Sequence, residues 1–246
     1  MSSINYFHSY GIIIAFGVLA GFLLARKRSE LYQISQQEIE NVYLLLIPTC
    51  IFGARLYHLF HQWKYYSQNP KQIIAIWQGG LGIYGAIIIG LIALRVYTKI
   101  KKLCFLNLLD LLFPAVALTQ AIGRWANFFN REAFGPPTNL PWKIYIPFEN
   151  RPFSWREYAY FHPLFLYESL FMFLSFFLLL SLSNKFPKKR GLITDAYLVL
   201  YGSIRFLTEF GRLDTWQING VKVAQVLSLL SISAGIFLLA KPKHLN

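Results

Sequence analysis

Seven blocks of apolar residues, separated by short polar stretches that are often basic, leave this chain few ways to fold. They run from Gly11 to Ala25, Val42 to His61, Ile73 to Val96, Phe105 to Phe129, His162 to Leu182, Ile193 to Phe210 and Val221 to Ala240, the first starting a few residues before Gly11. Each comes close to the roughly 20 residues with which a helix crosses about 30 Å of hydrocarbon. No water reaches that layer, so each block must satisfy its backbone hydrogen bonds within itself, as a helix does. With 55% hydrophobic residues, the chain is too apolar for an ordinary soluble domain. The predicted fold is an all-α integral membrane protein: one transmembrane domain over residues 1–246, seven transmembrane helices, and a small outward-facing head inserted at 130–161.

The distribution of charge sets the orientation. The formal charge is +13, but Lys and Arg sit in clusters between apolar blocks and do not form a stripe on a soluble face. That pattern argues against a nucleic-acid partner. The clusters at 26–28, 99–102, 185–190 and 241–243 fall on one side of a seven-span chain and dominate its short loops. By the positive-inside rule that side, with the C-terminus, is cytoplasmic, and the N-terminus and head face outward. Met1 to Tyr10 lacks the basic n-region of a cleavable signal peptide. Cys50 and Cys104 have neither a disulfide framework nor metal-ligand spacing around them.

Polar islands interrupt this apolar background. The densest is Asp110 to Gly135, where Gln120, Arg124 and Asn127 recur at i, i+4 and i+7 on one helical face, with Asn130, Arg131 and Glu132 just beyond. A guanidinium within an apolar span costs about 2.5–3.5 kcal/mol on insertion scales, so Arg124 needs a buried partner, a lipid head group or a substrate anion. Its rigid donor fork suits phosphate. Tyr201, Arg205, Glu209 and Arg212 share a second helical face. Arg124 and Arg205 on separate helices would form a clamp for a phosphodiester. Gly79-Gly80 and Gly82-Ile83-Tyr84-Gly85 weaken the third span and allow a close approach of backbone or lipid. His162 precedes Pro163, a residue suited to the first helical position, and can serve near the cap or as a base, with Tyr167 and Glu168 following. Tyr10 and Arg55 are further polar groups in the first two spans. There is no nucleophile elbow, phosphate loop or metal motif, so the expected chemistry is metal-free and cofactor-free, driven by charge stabilisation.

The island at Gly123 to Gly135, GRWANFFNREAFG, resembles the signature of bacterial phosphatidylglycerol–prolipoprotein diacylglyceryl transferases. Further pieces agree in order: Tyr10-Gly11, Gly53-Ala54-Arg55, WQGGLGIYG from Trp77, FHPLFLYES from Phe161, YGSIRFLTEFGR from Tyr201 and AQVLSL from Ala224. The resemblance implies an enzyme of the bacterial cytoplasmic membrane. Such an enzyme moves the diacylglyceryl group of phosphatidylglycerol onto the lipobox cysteine of a preprolipoprotein signal peptide, forms a thioether and releases glycerol 1-phosphate. Arg124 and Arg205 would stabilise the leaving phosphate, with Asn127, Glu209 and Tyr84 as the other catalytic candidates. Tyr10, Gly79, Gly80, Glu132, Gly135, His162, Tyr201 and Arg212 would bind substrate. Two positions depart from the pattern: Tyr84 stands where the family usually has His, and Ala126 where it has Gly before Asn. A thiol has a reference pKa near 8.5 and a phenol near 10, so the group that takes the thiol proton is open among Tyr84, His162, Glu209 and water. The competing readings are an anionic-solute transporter lined by Arg55, Arg124 and Arg205, and a catalytically altered lipid-binding paralogue. The first calls for inverted repeats, and no such symmetry is visible in the sequence.

Overall fold

A computed structural model describes residues 2–213 and 215–241; Lys243, counted in the last basic cluster, lies outside them. The chain is helical for most of its length: α1 (Ser2–Arg28), α2 (Gln36–His61), the short α3 (Trp63–Gln68), α4 (Ile83–Ile100), α5 (Phe105–Phe129), α6 (Leu164–Lys185), α7 (Leu192–Glu209) and α8 (Val223–Ala240). Among the described residues six helices are long and apolar enough to cross a membrane. The sixth apolar block forms α7, at 18 residues, but Asp195, Arg205 and Glu209 keep it out of that group. The chain divides into two compact units, Met1–Arg28 with Leu109–Asn246, and Ser29–Leu108.

In the Ser29–Leu108 unit, α2 and α4 meet backbone to backbone. A Cβ placed on Gly53 would lie 2.5 Å from the Gly85 carbonyl oxygen, and one on Gly85 would press still closer on Gly53. The Gly82 N–H donates to Ala54 O at 2.9 Å beside this crossing. Gly85→Val is expected to force the two helices apart and to destabilise the protein by about 3 kcal/mol, the upper range for overpacking. Thermal unfolding in detergent checks this, with Gly11→Ala, where an added Cβ meets nothing within 4 Å, as the control in which no loss is expected.

The third apolar block does not form one helix over Ile73 to Val96. Residues 70–74 and 76–78 are 3-10 turns, Gly79 and Gly80 take φ of +88° and +71°, and α4 starts only at Ile83. The cause is Arg55, which is only 7% exposed. Its Nε donates to Ile73 O at 2.9 Å, Nη1 to Gly79 O at 2.9 Å and Gly80 O at 3.1 Å, and Nη2 to Gln72 O. Carbonyls that a helix would need internally are taken by one guanidinium. The left-handed glycines turn their backbone toward it.

In the other unit α1 lies close on α5, because Gly17 and Gly21 leave room for Thr119, whose hydroxyl donates to Gly17 O and Ala115 O, both at 2.9 Å. Ala117, Ala121, Met172, Leu179, Ile193 and Tyr197 form the apolar core of α5, α6 and α7, and Ser169 Oγ donates across it to Ala121 O at 2.7 Å. Asp110 of α5, 1% exposed, accepts from the N–H groups of Gly191 and Thr194 and from the Thr194 hydroxyl. It therefore caps α7 from another helix, placing a carboxylate at the positive end of the helix dipole. Gly202 and Gly235 let α7 and α8 approach closely. Residues 130–161 carry a two-stranded antiparallel ladder, β1 (Ile144–Tyr145) with β2 (Tyr160–Phe161), around Phe134, Ile146 and Phe161. Past α7 a tight hairpin, β3 (Gln217–Ile218) and β4 (Val221–Lys222), turns through Asn219 and Gly220, both at positive φ.

Candidate functional site

Three helices of the unit formed by Met1–Arg28 and Leu109–Asn246, namely α5, α6 and α7, meet at a group of charged side chains. α5 contributes Arg124 and Asn127 one turn apart. The chain then folds back at once: Asn130 N–H donates to Ala126 O, and Glu132 N–H to Asn127 O at 3.0 Å. Arg131 and Ala133 both sit at φ +55°, in the left-handed region. That conformation is uncommon for residues with a β-carbon and costs of order 1 kcal/mol or more. The turn returns Glu132 to its own helix end, where its Oε1 accepts from Asn127 Nδ2 at 2.8 Å and Asn130 Nδ2 at 3.5 Å.

Glu168 of α6 is the centre of the cluster. It is 1% exposed. One oxygen lies 2.7 Å from Arg124 Nε, the other 3.0 Å from Arg205 Nη1 and 3.8 Å from Arg212 Nη1. Arg205 reaches a second carboxylate with its other amine, Nη2 to Glu209 Oε2 at 2.6 Å, four residues on along α7. Charges this deeply buried persist only when paired, and here one carboxylate holds like-charged guanidiniums side by side. The two carboxylates are sealed, whereas the side chains of Arg124, Arg205 and Arg212 keep 23%, 16% and 15% exposure. An incoming anion would therefore meet guanidinium and not carboxylate. Among the described residues the terminal amines of Arg124 make no hydrogen bond. Glu209 also accepts from the Thr215 hydroxyl, and Lys222 Nζ donates to Glu209 O at 2.6 Å and to Arg212 O at 3.1 Å.

The other sequence candidates have different surroundings. Gln120 accepts from Tyr197 OH at 3.0 Å, and Tyr201 stacks on the same Tyr197 ring at 5.7 Å between centroids. Gly135 is buried; its N–H donates to His162 O at 2.8 Å, and a Cβ there would lie 3.0 Å from the His162 Cβ. Pro163 stands at the N-cap of α6, one position before the expected one. The ring of His162 is engaged by Tyr167, whose hydroxyl lies 3.1 Å from Nδ1 and accepts from Trp142 Nε1 at 2.7 Å. Tyr10 is half-buried on α1. Tyr84, Gly79 and Gly80 belong to the Ser29–Leu108 unit. Tyr84 is in the first turn of α4, edge-on to Tyr57 at 5.9 Å. Gly79 and Gly80 line a cavity of about 210 Å³ with Arg55, His58, Tyr65, Tyr66, Gln72 and Gln78.

Sequence reasoning left Glu168 out of the site and weighed it only as a neighbour of His162. The available signal was arithmetic: Glu168 is the one acidic residue in the 22 residues of α6, facing arginines that need a counter-charge. Thr215 and Lys222 carried no such signal.

The prolipoprotein diacylglyceryl transferase family model matches residues 3–241. Three relatives named phosphatidylglycerol–prolipoprotein diacylglyceryl transferase illustrate the likeness. That of Acaryochloris marina is 43% identical over 228 residues, 92% of this chain and 83% of the relative. That of Synechocystis sp. is 45% identical over 231 residues, 92% and 82%. That of Finegoldia magna is 44% identical over 234 residues, 95% and 90%. With matches of this extent, the chain belongs to the prolipoprotein diacylglyceryl transferase family.

Proposed function

We propose that this chain is a membrane transferase that moves the diacylglyceryl group of phosphatidylglycerol to the lipobox cysteine thiol of preprolipoproteins, the first step of lipoprotein maturation. The carbon–oxygen bond between the glycerol carbon and phosphate breaks, and a carbon–sulfur bond forms. The thiol proton is lost, and glycerol 1-phosphate departs with the bonding pair. The observation that carries this reading is the pair of guanidiniums from separate helices, Arg124 and Arg205, held around one buried carboxylate. Preorganised positive charge at a departing phosphate is the largest single contribution such a site can make, and two substrates held in the bilayer supply orientation.

In this account Arg124 and Arg205 grip the phosphate, Glu209 holds Arg205, and Asn127 with Glu132 shapes the end of α5. Arg212, Tyr10, Tyr201, Gly79, Gly80, Gly135 and His162 bind substrate, and Tyr84 acts on the thiol proton or orients lipid. The whole chain is one transmembrane domain of seven spans, with α7 as the polar one and 130–161 as an outward head. Its C-terminus is cytoplasmic and its N-terminus outside the cytoplasmic membrane. The names of its relatives do not favour a solute transporter.

The test is transfer itself. Purified protein incubated with phosphatidylglycerol and a lipobox peptide should add one diacylglyceryl mass to the cysteine, and none to a Cys→Ser peptide. An unmodified cysteine, under conditions where a relative from this family works, would sink the proposal.

A further inference from the structure

The ion-paired cluster holds three guanidiniums, those of Arg124, Arg205 and Arg212, against two carboxylates, those of Glu168 and Glu209. Glu132 stands outside the pairing, with its carboxylate taken by the amides of Asn127 and Asn130. A phosphodiester carries one negative charge. The phosphomonoester that leaves in the proposed reaction carries close to two at neutral pH, because the second ionisation of such groups lies near pH 6. We infer that Glu168 sets the phosphate preference of the site, favouring the monoanionic diester over the dianionic product and easing the departure of that product. This rests on the transferase reading above.

Geometry suits Glu168 to that task. Its carboxylate lies behind the guanidiniums at 1% exposure, where water does not screen it, and each of its oxygens is engaged by a different arginine. The arginines stay partly open in front of it. An anion bound there feels both the pull of the guanidiniums and the push of the carboxylate behind them. The push weighs twice as heavily on a dianion as on a monoanion at the same distance. A site without it would bind its own product more tightly, which lowers turnover and contributes nothing to the chemical step.

Glu168→Gln removes the charge and keeps the shape. Full-length protein in detergent, with phosphatidylglycerol and the lipobox peptide, is assayed against added glycerol 1-phosphate. Inhibition is expected at concentrations roughly tenfold lower in Glu168→Gln than in wild type, with a first turnover faster than those that follow. Glu168→Asp, which keeps the charge, should restore the wild-type inhibition. Thermal protection by glycerol 1-phosphate, read without turnover, should move to lower concentration in the same proportion. Where Glu168→Gln fails to fold, Glu209→Gln removes an equal charge from the same cluster and should show the same shift. Unchanged or weaker inhibition and protection in a folded charge-removing variant overturns the assignment. Wild-type protein that leaves the peptide unmodified would instead overturn the transferase reading, and the protection measurement still decides the role of Glu168.

Discussion

Arg205→Lys is expected to lower the rate of lipobox-peptide modification by about 10²–10³-fold while leaving most of the protein folded. The substituted side chain keeps its charge but loses the fork, and Arg205 uses that fork to reach Glu168 with one amine and Glu209 with the other. A point charge on a flexible stem can hold one of these carboxylates well, not both. The magnitude is that of removing one preorganised donor from a site where charge develops. Arg205→Ala goes further, because it leaves a carboxylate with no exposure, Glu209, without its arginine. Such a break costs about 3–5 kcal/mol of stability. In a strain depleted of its own transferase, neither Arg205→Ala nor Arg124→Ala should restore growth. Rescue at wild-type level by both would show that the clamp is not the source of catalysis. The peptide assay and thermal unfolding, run on the same preparations, separate a chemical defect from a folding one: Arg205→Lys should fail mainly in the first, and Arg205→Ala in both.

The second large effect falls on Arg55, and it is read as a loss of stability. Arg55→Met should destabilise the protein by about 4 kcal/mol, since a hydrogen bond from a charged donor contributes roughly 1.5–3 kcal/mol and four part-buried carbonyls depend on this one side chain. Local relaxation will recover part of the sum. The loss should concentrate at residues 72–80, so limited proteolysis in detergent is expected to cut there before anywhere else in the variant. Arg55→Lys should recover only a fraction, because an ammonium cannot reach carbonyls on both sides of the loop. Wild-type unfolding temperature and an uncut loop in Arg55→Met would show that the glycine segment holds its own shape.

Arg55 and Arg124 also show how far the amino-acid sequence alone could be read. Both present the same cue, a lone guanidinium inside an apolar block, and the cue says only that a partner must exist. For Arg124 the partner is a carboxylate in a charged cluster; for Arg55 it is four backbone carbonyls. Hydropathy located the helices well, because the length of an apolar run and the need for internal hydrogen bonding are properties of the run itself. It failed over Ile73–Gly82, where a side chain 18 residues upstream outcompetes the helix for its carbonyls. The pairing of Arg205 with Glu209 was visible as a spacing of four, a local relation. The linkage of Arg124 to Arg205 through Glu168 joins residues 44 and 37 positions apart, and no local spacing encodes it. The capping of α7 by Asp110 was hidden for the same reason. The resemblance pointed to family positions but not to the residue that holds them together.

Lys222 adds a mechanical consequence. Its ammonium grips the carbonyl oxygens of Glu209 and Arg212, while Thr215 holds the Glu209 carboxylate. The β3–β4 hairpin is thus riveted to the segment that carries two of the cluster's charged side chains. It cannot swing as a separate flap while those bonds last; any opening at this end must pivot above Glu209 or below Lys222 and carry hairpin and arginine together.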